Sequence, residues 1–302
     1  MRWNMWNLLS VMNLKGTDQN NHCCLRRRRP ALRGLPSPHE WNCQGIGRDL
    51  TIDDLLEQNK LHTPDIVILL ETKNRSNHYV YLNRRLGMDS MHAVEPRGIA
   101  GGMCIFWRNY VLLVKYANFF LEVGICDGEI NENWRLFAIY TSTNDNKRKD
   151  QWRMLSNRIK AARNKCLLIG DFNDIIDDLD KERGNYRSVV SMRNFCDFSV
   201  GNKLLDLGFM GYPFTWRNRK DEGPIQQRLD HGLATSGWVD VYLEAKIMHE
   251  VLEGSDHAML ILATKPSTLI RKRRFIYDEQ GERVSRGCET KLESWVYGLA
   301  CL

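Results

Sequence analysis

Three apolar runs of four or five residues, each bounded by a polar cluster, constrain this 302-residue chain most. Ile66-Val67-Ile68-Leu69-Leu70 runs into Glu71-Thr72. Cys166-Leu167-Leu168-Ile169 runs into Gly170-Asp171-Phe172-Asn173. Ser255-Asp256-His257 leads into Ala258-Met259-Leu260-Ile261-Leu262. Apolar runs this short read as buried strands. A carboxylate at the mouth of such a strand needs a metal, a proton or a hydrogen-bond network. Trp41-Asn42 adds a fourth cluster. Together they predict strands that converge on one site suited to a polyanion.

The chain is 43% hydrophobic and 26% charged, which fits one domain of about 200–250 residues, or two small ones, with flanking segments. No apolar stretch approaches ~20 residues, so no membrane span is expected. Met1 to Ser10 lacks the pattern of a secretory signal. The nine cysteines show no C-x-x-C spacing, and Cys23-Cys24 beside His22 falls short of the four ligands of a structural zinc site. The odd count and the apolar settings of Cys104, Cys126 and Cys166 favour reduced thiols inside a cell, in nucleus or cytoplasm.

The net charge of +6 is concentrated at the ends. Residues 1–40 hold seven Lys/Arg against two Asp/Glu, and 265–302 hold eight against five, leaving 41–264 slightly acidic. Arg26 to Arg29 and Arg271-Lys272-Arg273-Arg274 suit nucleic-acid contact, nuclear import or plain solvated charge. Residues 1–38 read as a disordered basic leader, 39–264 as the folded domain and 265–302 as a basic tail.

Within the domain strands alternate with helices. A helix is predicted over 50–60, with strands at 65–70, 102–107, 111–115, 119–125 and 134–140. Trp152, Leu155, Ile159 and Ala162 share one face of a helix over 149–163. A strand at 166–170 precedes a helix near 191–205 that turns Met192, Phe195 and Leu205 inward, with Phe195 and Phe198 in the core. There is no internal repeat and no P-loop.

Carboxylates and an amide are hard oxygen ligands suited to Mg²⁺ or Mn²⁺. Glu71, with Asn42 or Asp256, can hold such an ion. Asp171 can orient or deprotonate a water, and Asn173 can donate its amide to a phosphoryl oxygen. His257 offers a phosphate donor or a general acid/base. Asp230, in Arg228-Leu229-Asp230, is placed to fix a histidine tautomer. Tyr140 and Trp216 read either as packing residues or as substrate contacts.

The ordered set Trp41-Asn42, Glu71-Thr72, Tyr140, Gly170-Asp171-Phe172-Asn173, Phe214-Thr215-Trp216, Arg228-Leu229-Asp230 and Ser255-Asp256-His257 resembles the endonuclease/exonuclease/phosphatase superfamily. Trp-Asn-Cys-Gln-Gly-Ile-Gly at 41–47, Glu-Thr-Lys-Asn at 71–74 and Val-Glu-Pro-Arg-Gly-Ile-Ala-Gly-Gly at 94–102 bring it close to the apurinic-type endonuclease domain of plant LINE-type (non-LTR) retrotransposons. So does Arg-Arg-Phe-Ile-Tyr-Asp-Glu at 273–279. The resemblance implies an α/β fold, a four-layer α/β/β/α sandwich, with Mg²⁺-dependent phosphodiester hydrolysis on DNA. It implies metal ligation by Asn42, Glu71 and Asp256, and catalysis by Asp171, His257, Asp230 and Tyr140. Asn173 and Trp216 would contact substrate. A remnant that binds nucleic acid without cleaving it is the alternative, and no protein partner is implied. One departure stands out: Pro36-Ser37-Pro38-His39-Glu40 replaces the apolar strand expected before Trp41. Proline cannot serve a central ladder, so a shortened first strand and a weakly held Asn42 are expected.

Overall fold

The computed structural model describes residues 37–264, except 76, 99, 109–110, 128–131, 163–164 and 219–222. The leader up to residue 36, the tail from 265 and both arginine clusters lie outside them. In chain order the first half comprises β1 (Pro38–Asn42), α1 (Asp49–His62), β2 (Ile66–Leu70), α2 (Asn77–Leu86), β3 (Ser90–Val94) and β4 (Met103–Trp107). Then come β5 (Val111–Ala117), β6 (Phe120–Asp127), β7 (Glu132–Tyr140), α3 (Asp145–Ala161), β8 (Cys166–Asp171), β9 (Lys181–Glu182) and α4 (Val189–Gly201). The chain continues through β10 (Leu204–Asp206), β11 (Phe209–Gly211), β12 (Trp216–Arg217), β13 (Gln226–Gln227) and β14 (Asp230–Thr235). It closes with α5 (Ser236–Val239), β15 (Lys246–Glu250) and β16 (Met259–Ala263).

Two large sheets pack face to face. One has the order β11-β15-β16-β1-β2-β4-β3, the other β10-β14-β8-β7-β6-β5, and β12-β13-β9 form a small third sheet. The two-residue period of a strand sorts side chains to opposite faces. Ile66, Ile68 and Leu70 of β2 meet Leu121, Val123, Leu136, Leu167 and Ile169 between the sheets. Val67 and Leu69 turn outward to Leu55 of α1 and Tyr79 and Leu82 of α2. On the other flank Phe137, Ile139 and Leu168 cover Trp152, Leu155 and Ile159 of α3 and Phe195 and Phe198 of α4. Three cores separate four layers, α/β/β/α. No helix among the described residues is long and apolar enough to cross a membrane.

Two expectations give way. The first strand is neither shortened nor peripheral. β1 spans five buried residues at the centre of its sheet, parallel to β2 from Pro38↔Ile66 to Asn42↔Leu70 and antiparallel to β16 through His39 and Glu40. Pro38 occupies the first position, where a missing N–H costs no interior rung. The cost falls on side chains instead. Trp41 faces the outer core, so Glu40 lies in the layer between the sheets, where neither carboxylate oxygen has a partner. The second concerns the helix near 191–205. α4 ends at Gly201, and Leu205 sits on β10, half exposed, while Met192 is only partly buried.

Candidate active site

Strand register assembles the site before any side chain is considered. Tyr140 of β7 is opposite Asp171 of β8, and Asp171 is opposite Asp230 of β14. All three share the face of Ala138, Ile169 and Ala234, which points between the sheets. They form one row at the end of the second sheet. From the first sheet Asn42 ends β1, Glu71 follows β2, and His257 precedes β16 while bridging to Trp216. Gly170 is required beside Asp171: its φ is +136°, and a Cβ there would lie 2.2 Å from the Ile139 carbonyl oxygen.

Asp171 is fully buried and takes three hydrogen bonds. Asn42 Nδ2 donates to Oδ2 at 3.0 Å, Asn173 Nδ2 donates to Oδ2 at 3.1 Å, and the Asn173 N–H donates to Oδ1 at 2.8 Å. Burial nevertheless pushes its pKa up to about 7, with the Asp230 charge adding to the rise. His257 Nδ1 lies 2.9 Å from Asp230 Oδ2. That contact assigns the Nδ1 proton to the Asp230 side and leaves Nε2, 3.5 Å from Asn42 Nδ2, facing the site. Burial pulls the imidazole pKa down, but Asp230, Asp171 and Asp256 outweigh it and raise it to about 9.

Glu71 accepts a hydrogen bond from the Tyr140 hydroxyl and lies 3.1 Å from Lys73 Nζ. Burial and the Glu71 charge keep the Tyr140 phenol protonated by raising its pKa. Trp216 Nε1 donates to Asp256 Oδ2 at 3.0 Å, so its indole N–H is engaged within the protein. Asn42 Oδ1 receives only a 3.4 Å contact from the Gln44 N–H, and Asp256 Oδ1 is buried with no partner. The under-used oxygens of Asn42 and Asp256 and the carboxylate of Glu71 are oxygen donors of the kind a hard divalent cation takes. A more compact trio, Asp171, Asp230 and His257, has ligand atoms within 4.8 Å of one another. The Asp230–His257 hydrogen bond already occupies two members of that trio.

Several residues to which the sequence assigns no chemistry support the site. Ser255 Oγ donates to the Asn42 carbonyl at 2.7 Å and accepts from the His257 N–H at 3.1 Å. Thr215 Oγ1 accepts from the N–H groups of Leu229 and Asp230. Behind Asn173, Asp174 is fully buried and binds Arg148, Arg187 and Ser191. Arg187 also donates to the Asn173 carbonyl. Asn173 and Glu71 have left-handed φ values of 50° and 47°, conformations that persist in non-glycine residues where surroundings impose them. Glu40 was within reach of sequence reasoning: it lies two residues before Asn42, so strand periodicity puts both on one face. Burial raises its pKa well above the carboxylate range, with Asp230 and Asp171 adding to the effect.

The sequence pattern of the endonuclease/exonuclease/phosphatase family matches residues 40–257. No curated protein sequence matches the chain. Among solved structures, the 3′ phosphatase NExo from Neisseria, bound to product DNA hairpin, superposes with a TM-score of 0.58 at 15% identity, over 76% of this chain and 98% of that one. The endonuclease domain of TRAS1, a telomere-specific non-LTR retrotransposon, gives 0.56 at 13% identity, over 77% of this chain and 100% of that one. The AP endonuclease LMAP from Leishmania major gives 0.56 at 14% identity, over 76% and 87%. Identities this low establish a shared fold.

Proposed function

Because the chain belongs to the endonuclease/exonuclease/phosphatase family, we propose that it is a divalent-metal-dependent phosphodiester hydrolase that nicks DNA in the manner of a retrotransposon endonuclease. The observation that carries this reading is the meeting of Tyr140, Asp171 and Asp230 from one sheet with Asn42 and His257 from the other. In the reaction Asp171 accepts a proton from the attacking water, its carboxylate aimed by the amides of Asn42 and Asn173. His257, protonated at neutral pH and anchored through Nδ1 by Asp230, presents Nε2–H to a phosphoryl oxygen. Asn42, Glu71 and Asp256 would hold Mg²⁺ or Mn²⁺, which supplies charge neutralisation at the phosphate when bound. Tyr140 orients Glu71, and Trp216 orients Asp256.

Conversion of supercoiled plasmid to nicked circles tests this. The purified, folded chain is expected to nick with Mg²⁺ or Mn²⁺ and to lose that activity on chelation. A protein folded by circular dichroism that leaves plasmid intact with either ion overturns the reading. The buried, unpartnered Glu40 favours one second reading, a chain that keeps the fold but has lost catalysis. Metal-dependent nicking removed by His257→Ala would reject it.

A further inference from the structure

The donors of Asn173 are all spent inside the protein. Its backbone N–H donates to Asp171 Oδ1 at 2.8 Å, and its amide donates to Asp171 Oδ2 at 3.1 Å and to the Thr141 carbonyl at 2.9 Å. These bonds aim the Asp171 carboxylate only while the Asn173 backbone keeps its left-handed conformation, φ 50°. Asparagine tolerates that region without preferring it, so the surroundings must impose it. The Asn173 carbonyl accepts from Arg187, fourteen residues further along the chain.

Asp174, the other partner of Arg187, does not need it. The Asp174 carboxylate is buried, its Oδ2 accepts from Arg148 Nε at 3.1 Å and from Ser191 Oγ at 2.6 Å, and the Ile175 N–H donates to Oδ1 at 3.1 Å. Without Arg187 it would keep a full counter-charge and a donor on each oxygen. What Arg187 adds is a fork. Its Nε donates to Asp174 Oδ1 at 3.1 Å and its Nη2 to the Asn173 carbonyl, two acceptors that a planar guanidinium spans and a point-charge ammonium does not. The fork is aimed from both sides. Ahead of it β9 pairs with β13, and Gly184 turns the chain at φ +72°, a conformation that favours glycine. Behind it Ser188 caps α4 by accepting from the Ser191 N–H, and Ser191 reaches the same Asp174.

We propose that Arg187 is a positioning residue for catalysis: its guanidinium bridges Asp174 and the Asn173 carbonyl, holds the turn after β8 in its left-handed form, and thereby aims Asp171 at the attacking water. It rests on the nuclease reading and adds to it a residue that acts through Asn173 rather than on the reacting atoms. It also gives the outer helices a part in the reaction, since Arg148 of α3 and Ser191 of α4 fix the carboxylate on which the fork rests.

Steady-state plasmid nicking by the full chain with Mg²⁺, beside hydrogen–deuterium exchange without substrate, tests it. Arg187→Ala is expected to lower kcat roughly 10- to 100-fold with KM within about twofold. The Asn173 N–H should exchange faster in that variant while α4 stays protected. Guanidinium chloride below denaturing concentration should restore part of the lost kcat, because 23% of the Arg187 side chain is open to solvent; equal sodium chloride should not. Arg187→Lys keeps the charge beside Asp174 and loses the fork, so kcat should stay low in a variant that folds. Arg153→Ala, an exposed site on α3, should change neither readout. Parent-like kcat in Arg187→Lys overturns the clamp, as does a loss of kcat without faster Asn173 exchange, or the reverse. Faster exchange shared by α4, with no rescue by guanidinium, would make Arg187 a residue of the fold alone and overturn it too. A parent that does not nick ends the nuclease reading, and Asn173 exchange still decides whether Arg187 holds the turn.

Discussion

The site has two walls, and they are built differently. The second-sheet wall is Asp171 at the end of β8, with Ile169 two residues behind it on the same face and fully buried among apolar side chains. The first-sheet wall is Asn42 at the end of β1, with Glu40 in the corresponding place, equally buried and without a partner for either oxygen. His39, on the outer face, is also buried and packs edge-on to His62 with ring centroids 5.3 Å apart. Both walls nevertheless deliver their terminal residue to the same hydrogen bond, Asn42 to Asp171. Backbone pairing on two sides of β1 therefore suffices to place Asn42, whatever the strand's side chains cost. Position and stability are separable here.

The largest expected effect lies on the second wall. Asp171→Ala should lower plasmid nicking by roughly 10²–10⁴-fold with thermal unfolding little changed, measured as initial rates with Mg²⁺. An equal loss from Asp171→Ala and from an exposed control substitution would break the division of labour between the walls.

Next comes an exchange of what lies behind them. Ile169→Glu puts a carboxyl into the apolar layer and should destabilise by about 3 kcal/mol or more in urea. Glu40→Leu removes one and should stabilise by roughly 1–3 kcal/mol. Destabilisation by Glu40→Leu would mean that the carboxyl is satisfied in solution, and the walls would then be alike.

The acidity of the first wall gives a smaller, pH-dependent effect. Glu40 has a raised folded pKa, so its contribution to stability is intact below the ordinary carboxylate pKa and is lost as pH rises through the folded value. The gain from Glu40→Leu should therefore grow with pH in denaturation curves. His39 works the other way. Burial, and then the His62 charge, lower its pKa from 6.5 to about 3. Its contribution is intact above 6.5 and is lost as pH falls towards 3, so His39→Leu should gain most in acid.

Catalysis supplies the mildest test. With Asp171 near 7 and His257 near 9, log(kcat/KM) should rise through about 7 and fall above about 9. A bound cation would move the acid limb to lower pH. Asp230→Asn should bring the alkaline limb down, because the charge that raises His257 is gone. An unmoved alkaline limb would detach Asp230 from the histidine.

Much of the site could be read from the chain because strand ends and polar clusters coincide locally. Glu71, Asp171 and His257 each adjoin an apolar run, and β2, β8 and β16 lie where those runs predict. Phe195 and Phe198 fill the helical core as their spacing suggests. Other elements carry weaker marks. β3 is Ser-Met-His-Ala-Val, half-buried throughout at a sheet edge, and α2 is short and polar. Leu205 reads as the end of a helix, but pairing with Ala234 draws it into β10. The buttress of Arg148, Asp174 and Arg187 is spread over three segments, so nothing in any one of them announces it.

The sequence by itself determined the inventory and its order: which carboxylates, amides and imidazole are present, and which apolar runs carry them to strand ends. The tertiary structure alone decided that Asn42 reaches Asp171 and that Glu40 is sealed beside them. Those outcomes depend on which strands become neighbours and which faces lose water. Desolvation comes from the whole packed layer, and no local run of residues encodes it.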